Sequence, residues 1–249
     1  MINTETRDDV TILTLAKGGA NAIDSELLKA LRAAFKEAVD AGKPIVLTAE
    51  GEKIFCAGLD LVSLAGADRV VVTTLVHELY FTLFELFNAP VPVVAALNGH
   101  AVAGGALVAL TTDWRVMSAG KGRIGMSEAQ IGVSIPASAL ELMRYRLRPP
   151  HLDRIAYAGE LHPVDDALRM GLIDETVEAS ALLETAVARA RSFAPSLPAF
   201  TEMKTNLRRD VKAAMEAARE RDEAFLDKWF SDEGQARIKA TVAKLTGKG

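Results

Sequence analysis

Cysteine is nearly absent: Cys56 stands alone among 249 residues. One thiol excludes an internal disulfide framework and suits a reducing compartment, so a cytoplasmic location is expected. Aromatic residues make up only 6% of the chain, and a core of small aliphatic side chains favours close packing of helices on sheets. Positive charge is not in excess. The net charge of -4 argues against the basic footprint of a nucleic-acid-binding protein. No apolar run approaches the ~20 residues of a membrane span, so no membrane partner is expected. MINTETRDDV has neither the basic nor the apolar region of a signal peptide, and LTGKG is neither a peroxisomal nor a retention address. His77, His100, His151 and His162 lack metal-ligand spacing, so no metal is expected. Ser134 and Ser138 lie outside any G-x-S-x-G elbow, which argues against a serine hydrolase.

What is present is an alternation of short apolar strands and amphipathic helices. Strands are expected at 10–16, 44–49, 91–98, 113–119 and 172–177. Asp24 is a good N-cap for the helix SELLKALRAAFKEAVDAG, which Gly42 and Pro44 end. A long amphipathic segment runs from about 68 to 88, GEKIFCAGLD reads as a loop, and GHAVAGG reads as a glycine-rich turn. This order predicts an α/β fold with mainly parallel pairing. After about residue 180 only helices are expected, near 210–230 and 235–245, and Pro195 and Pro198 mark a break before them. The chain therefore divides into a core, 1–195, and a helical tail, 196–249.

One stretch invites a nucleotide reading. GKGRIG, from Gly120 to Gly125, has G-x-G-x-x-G spacing after a strand. A dinucleotide turn also needs a helix whose N-terminus receives the pyrophosphate. MSEAQIGVSIP, with Gly132 and Pro136, is a poor helix. The stretch reads better as a β-turn followed by one carboxylate, Glu128.

Two other stretches carry more chemistry. IFCAGLDL (54–61) is a short loop after a buried strand. ALNGHAVAGGALVAL (96–110) runs from a strand through glycines into a helix. Glycine permits close backbone approach to a ligand, and a helix N-terminus offers unpaired N–H groups. One donor from each loop would suffice to hold an oxygen that gains negative charge.

FCAGLDL, NGHAVAGGALVAL, DWRVMSA and IGMSEAQIGV occur in the order and spacing of the crotonase (enoyl-CoA hydratase/isomerase) superfamily, which the chain resembles from ILTLAKGGANAID to FSDEGQARIKA. The resemblance implies a spiral of ββα turns with a C-terminal helical trimerisation region, acyl-CoA thioesters as substrates, no cofactor, and a homotrimer or dimer of trimers. Carried over by position, the oxyanion-hole donors are the backbone N–H groups of Leu59 and Gly104. Ala57 and Gly58 are expected to contact CoA. Lys17 is expected near its phosphates, with Lys239 or Lys244 as weaker candidates. Hydratases of the superfamily usually carry two catalytic glutamates. The first position is Leu107 here, three residues past Gly104 on the same helix face and so pocket-lining. The second is Glu128. Leucine at one and glutamate at the other resembles the Δ3,Δ2-enoyl-CoA isomerase branch, and a carboxylate in such dry surroundings is expected to have a raised pKa. Hydration, another crotonase reaction and a non-catalytic acyl-CoA-binding scaffold are the alternatives.

The remaining residues read more plainly. Cys56 is expected to be a small buried filler, and His100 to serve packing or meet solvent. Asp60 and Asp113 are expected in turn or capping roles, and Arg144, Arg146 and Arg148 on a solvated or intersubunit face.

Overall fold

The computed structural model describes residues 1–247. The last two residues of the 196–249 tail, which also end LTGKG, lie outside the described residues. In chain order the elements are β1 (Ile2–Arg7), β2 (Val10–Leu15), α1 (Ser25–Asp40), β3 (Ile45–Ala49), β4 (Ile54–Cys56), α2 (Leu61–Leu64), α3 (Arg69–Phe87), β5 (Val93–Leu97), β6 (His100–Val102), α4 (Gly104–Thr111), β7 (Trp114–Ser118), β8 (Arg123–Gly125), α5 (Ala137–Arg146), α6 (His151–Ala158), β9 (Leu161–Pro163), α7 (Val164–Met170), β10 (Glu175–Val177), α8 (Leu182–Ser192), α9 (Leu197–Ala218), α10 (Glu223–Trp229) and α11 (Asp232–Leu245).

The strands are shared between two sheets. One has the order β1-β2-β3-β5-β7-β10 and the other β4-β6-β8-β9. Only the β1–β2 and β8–β9 pairs are antiparallel. From β3 to β8, successive strands alternate between the sheets, one in each per turn of the chain. Helices connect the turns, and this is the spiral of ββα units expected from the resemblance. The larger sheet is covered on both faces. Val10, Ile12, Val46, Val94 and Val116 pack against Leu182, Ala186 and Ala190 of α8. Leu13, Leu15, Ile45, Leu47 and Leu97 face the main core. Burial on both faces explains why these strands read as continuous apolar runs.

Local chemistry sets the helix starts. Asp24 accepts the Leu27 N–H at 2.9 Å, and Asp68 accepts that of Val71 at 2.9 Å. Asp60 caps α2 through Ser63 N at 3.1 Å. Three strands appear where loops or turns were expected. Ile54–Cys56 lies within GEKIFCAGLD, His100–Val102 within GHAVAGG, and Arg123–Gly125 within GKGRIG. Each has three residues, too short for a period of two to show. β1 was hidden by its polar composition, because five of its six residues are exposed. Contrary to the expectation from sequence, α3 has the length and apolarity of a membrane span, and half of it is buried inside the protein. His77, Glu78 and Glu85 interrupt its apolar run.

The tail folds back on its own core. Met215, Phe225, Leu226, Trp229 and Ile238 join the same apolar cluster as β3, α3 and α4. α9 is fastened by charge. Asp113, expected in a turn role, receives Lys204 Nζ at 2.7 Å, an Arg208 nitrogen at 2.5 Å and the Val93 N–H at 2.8 Å. All three ionic side chains are nearly inaccessible. Asp113→Asn therefore leaves two buried cations short of a counter-charge, and loss of one partner of a buried pair costs about 3–5 kcal/mol. The expected result is a lower urea midpoint with an unchanged slope, measured by tryptophan fluorescence.

Candidate active site

A cavity of about 340 Å³ lies where the loop after β4, the start of α4, the turn after β8 and the tail meet. Ala57, Leu59, Gly104, Leu107 and Glu128 all line it. α3 adds Val76 and Leu79 to the wall, and the loop after β4, the start of α4 and the turn after β8 were named from sequence. The tail was not: Phe225, Trp229, Thr241 and Leu245 close the far wall. Phe225 and Trp229, one helical turn apart with ring centroids at 5.7 Å, were the available signal.

The loop after β4 and the turn before α4 touch. A Cβ placed on Gly58 would sit 2.8 Å from Val102 O and 3.3 Å from Gly104 N. Gly58 also has φ +82°, a region most side chains avoid. Hydrogen bonds on either side hold Leu59: Ile23 N donates to Gly58 O at 2.7 Å, and Asp60 N donates to Ile23 O at 2.9 Å. Among the described residues the Leu59 N–H has no backbone acceptor. Gly104 opens α4, so its N–H has no acceptor within the helix. Ala103, immediately before it, has φ 50° and ψ -117°. That geometry costs a non-glycine residue roughly 1–3 kcal/mol. It is held by Ala103 N to Gly125 O at 2.8 Å and by Leu107 N to Ala103 O at 3.0 Å. Leu59 and Gly104 thus border one cavity, the second at the positive end of a buried helix.

Gly105 sits on β4, where a Cβ would lie 2.3 Å from Cys56 O. Cys56 fills the space beneath, and burial pushes its thiol up to about 12. A thiol so rarely ionised is no nucleophile.

Glu128 begins a 3-10 turn, Glu128–Ile131. Its side chain is buried, and among the described residues Oε2 has no hydrogen-bond partner. It is the one ionisable group among the described residues lining the cavity. Burial raises its pKa from 4.5 to about 7, against a smaller opposing pull from the Glu128 and Ser127 N–H groups. Two neighbours fix the turn. Gln130 Nε2 donates to Ala158 O of α6 at 2.9 Å. Gly132, with φ +74°, leaves only enough room for the Arg237 stem of α11.

Other residues named from sequence lie outside the cavity lining. Lys17 is not part of the cavity lining; its ammonium is paired with Asp24 and donates to Ala22 O at 3.1 Å. Gly58 acts through the fit of the two loops. His100 accepts the Arg123 N–H at 3.2 Å, away from the cavity. Arg146, expected on a solvated or intersubunit face, turns inward to the carbonyls of Leu110, Thr111 and Thr112. Among the described residues no group of three or more His, Cys, Asp or Glu is placed to hold a metal.

A two-sheet spiral thus brings two backbone N–H groups and one buried carboxylate to a single cavity. Residues 5–244 match the enoyl-CoA hydratase/isomerase family, and the chain belongs to it. Carnitinyl-CoA dehydratase from Proteus mirabilis is 30% identical over 195 residues, 78% of this chain and 74% of that protein. Peroxisomal enoyl-CoA delta isomerase 1 from Arabidopsis thaliana is 28% identical over 191 residues, 72% of this chain and 79% of that protein. The structure of human mitochondrial delta3-delta2-enoyl-CoA isomerase superposes with a TM-score of 0.94, covering 99% of this chain and 98% of that one at 23% identity, a likeness of fold.

The raised pKa of Glu128 has a consequence for stability. Below about pH 4.5 the carboxyl is protonated in both states. Between 4.5 and about 7 the unfolded chain releases the proton while the folded chain keeps it, so stability falls as pH rises through this window. Neutral Glu128→Gln escapes that loss. Its melting temperature is expected to exceed that of the unsubstituted protein at pH 8, by an amount corresponding to up to about 3 kcal/mol, and to match it at pH 4. Calorimetry at the two pH values checks this.

Proposed function

We propose that the protein is a Δ3,Δ2-enoyl-CoA isomerase. The observation that carries this reading is that, among the described residues, Glu128 is the one ionisable group lining the cavity, which the N–H groups of Leu59 and Gly104 border without a backbone acceptor. The thioester oxygen of a 3-enoyl-CoA is held by those two donors. Ionised Glu128 removes a proton from C2, and the electron pair delocalises into a dienolate whose oxygen charge the donors stabilise. The same carboxyl then returns its proton to C4. The C3=C4 bond becomes C2=C3, no atom is gained or lost, and no water takes part.

Hydration makes a different demand, since a water must be oriented and activated. Leu107 supplies no acid or base and is only 1% exposed. The carnitinyl-CoA dehydratase relatives favour a hydratase or dehydratase reading, and Leu107 counts against it. Against a non-catalytic scaffold stands the placement of Glu128 on the same cavity as the two donors. A homotrimer or dimer of trimers and a cytoplasmic location belong to the same proposal.

A paired assay tests it. The purified protein is given a 3-enoyl-CoA and, separately, a 2-enoyl-CoA in water, over several chain lengths. Fast formation of 2-enoyl-CoA and slow hydration are expected, with a loss of at least about 100-fold for Glu128→Gln. Isomerase kcat should rise with pH through an inflection near 7, where Glu128 loses its proton. Leu107→Glu should move the ratio of rates toward hydration. Untouched 3-enoyl-CoA at every chain length, or hydration as the faster reaction, would overturn the assignment.

A further inference from the structure

α4 is buried at every position from Gly104 to Thr111, and its side chains are apolar apart from the final threonine. Apolar contact is non-directional; the packing of Gly105 on Cys56 O and the Ala103 N to Gly125 O bond hold the first turn of the helix, and between that turn and the last no polar side-chain contact among the described residues fixes it along its axis. Most side-chain hydrogen bonds to the helix gather at the end away from the cavity. The last four carbonyls of a helix have no partner within it. Here Val108 O accepts from Thr111 Oγ1 at 2.6 Å and Ala109 O from Thr112 Oγ1 at 2.7 Å. Leu110 O accepts from Arg146 Nε at 2.8 Å and Thr111 O from another Arg146 nitrogen at 3.3 Å. Arg146 also donates to Thr112 O.

Arg146 differs from the cations around it. Asp113 is taken by Lys204 and Arg208, and Asp174 by Arg115 at 2.6 Å. Among the described residues Arg146 has no carboxylate partner. Its charge is met by the carbonyl end of α4 and by the rings of Tyr145 and Phe87, at 5.2 and 5.6 Å. α5, which carries it, runs back to the cavity. Pro136 at its N-cap lines the cavity wall, and its first turn is anchored by Asp222, which accepts from Ser138 N at 2.9 Å and Ser138 Oγ at 2.6 Å. α5 therefore links the two ends of α4.

We propose that Arg146 is a positioning residue for the reaction: by gripping the C-terminal carbonyls of α4 from α5, it sets the axial position of that helix and so aligns the Gly104 N–H with the Leu59 N–H, about 12 Å away along the helix. The inference rests on the reading of these two donors as the oxyanion hole, and not on which acyl-CoA reaction follows.

The test uses Arg146→Met, Arg146→Lys and, as control, Arg144→Met. Arg144 lies on the same helix with an exposed side chain. Each protein is saturated with a saturated acyl-CoA labelled with carbon-13 at the thioester carbonyl, and the carbonyl stretch is recorded by difference infrared spectroscopy. Rates are measured per acyl-CoA binding site. Binding to the unsubstituted protein and to Arg144→Met should lower the stretching frequency equally. Arg146→Met should lose most of that shift, with kcat down roughly 10- to 100-fold and KM little changed. Arg146→Lys, which keeps charge but fewer donors, should fall between. A full shift in Arg146→Met would overturn the proposal, as would loss of acyl-CoA binding stoichiometry in both Arg146 variants, because the arginine would then serve the fold alone. No shift in the unsubstituted protein would overturn the oxyanion hole itself and the proposal with it. The isomerase assignment fails separately, through an inactive protein that still shows the shift.

Discussion

The unequal termination of one buried helix governs the site. α4 has no polar face to orient it, and its two ends are treated in opposite ways. At the C-terminus, hydroxyls and guanidinium groups satisfy the free carbonyls. At the N-terminus the Gly104 N–H, beside the cavity, has no backbone acceptor among the described residues. An orphan donor in a dry interior is a standing cost, and it becomes useful when a bound carbonyl oxygen gains negative charge. The strained Ala103 backbone belongs to the same arrangement, since the chain must turn sharply to present that N–H.

Dryness links the donors to the base. The apolar walls around the two N–H groups also desolvate Glu128 and lift its pKa to about 7. A carboxylate raised this far is a better match for an α-proton than one near its ordinary value, while still ionised in good part at neutral pH. Leucine at 107 leaves Glu128 as the one ionisable group among the described residues on those walls. In the proposed reaction, exclusion of solvent is the property that favours proton transfer over hydration.

The tail completes that exclusion. α10 and α11 lay Phe225, Trp229 and Leu245 over the cavity, and Arg237 of α11 packs on the turn that carries Glu128. The Lys204–Asp113–Arg208 cluster ties α9 to the strand that follows α4. Tail and active site are therefore coupled at both ends of the same helix. A role for these helices in oligomer formation is compatible with their covering the chain's own cavity.

Much of this was legible in the chain itself, where the information is local. Capping by Asp24, the apolar strands, and the glycines at 58, 104 and 105 follow from backbone sterics and periodicity. The four family stretches brought Leu59, Gly104, Leu107 and Glu128 onto one site, and the structure places all four on one cavity. Strands of three residues escaped, because a period needs more length than that to be seen. Arg146 and Asp113 were misjudged for a different reason. A charged residue in sequence carries no mark of the buried partner that will accept it, and their partners lie tens of residues away. Sequence by itself determined which groups are available: one carboxylate, two glycine-bordered amides and a leucine where a second acid would stand. Tertiary structure decided what those groups can do, because desolvation, helix-end satisfaction and closure by the tail depend on surfaces that exist only when distant segments pack together.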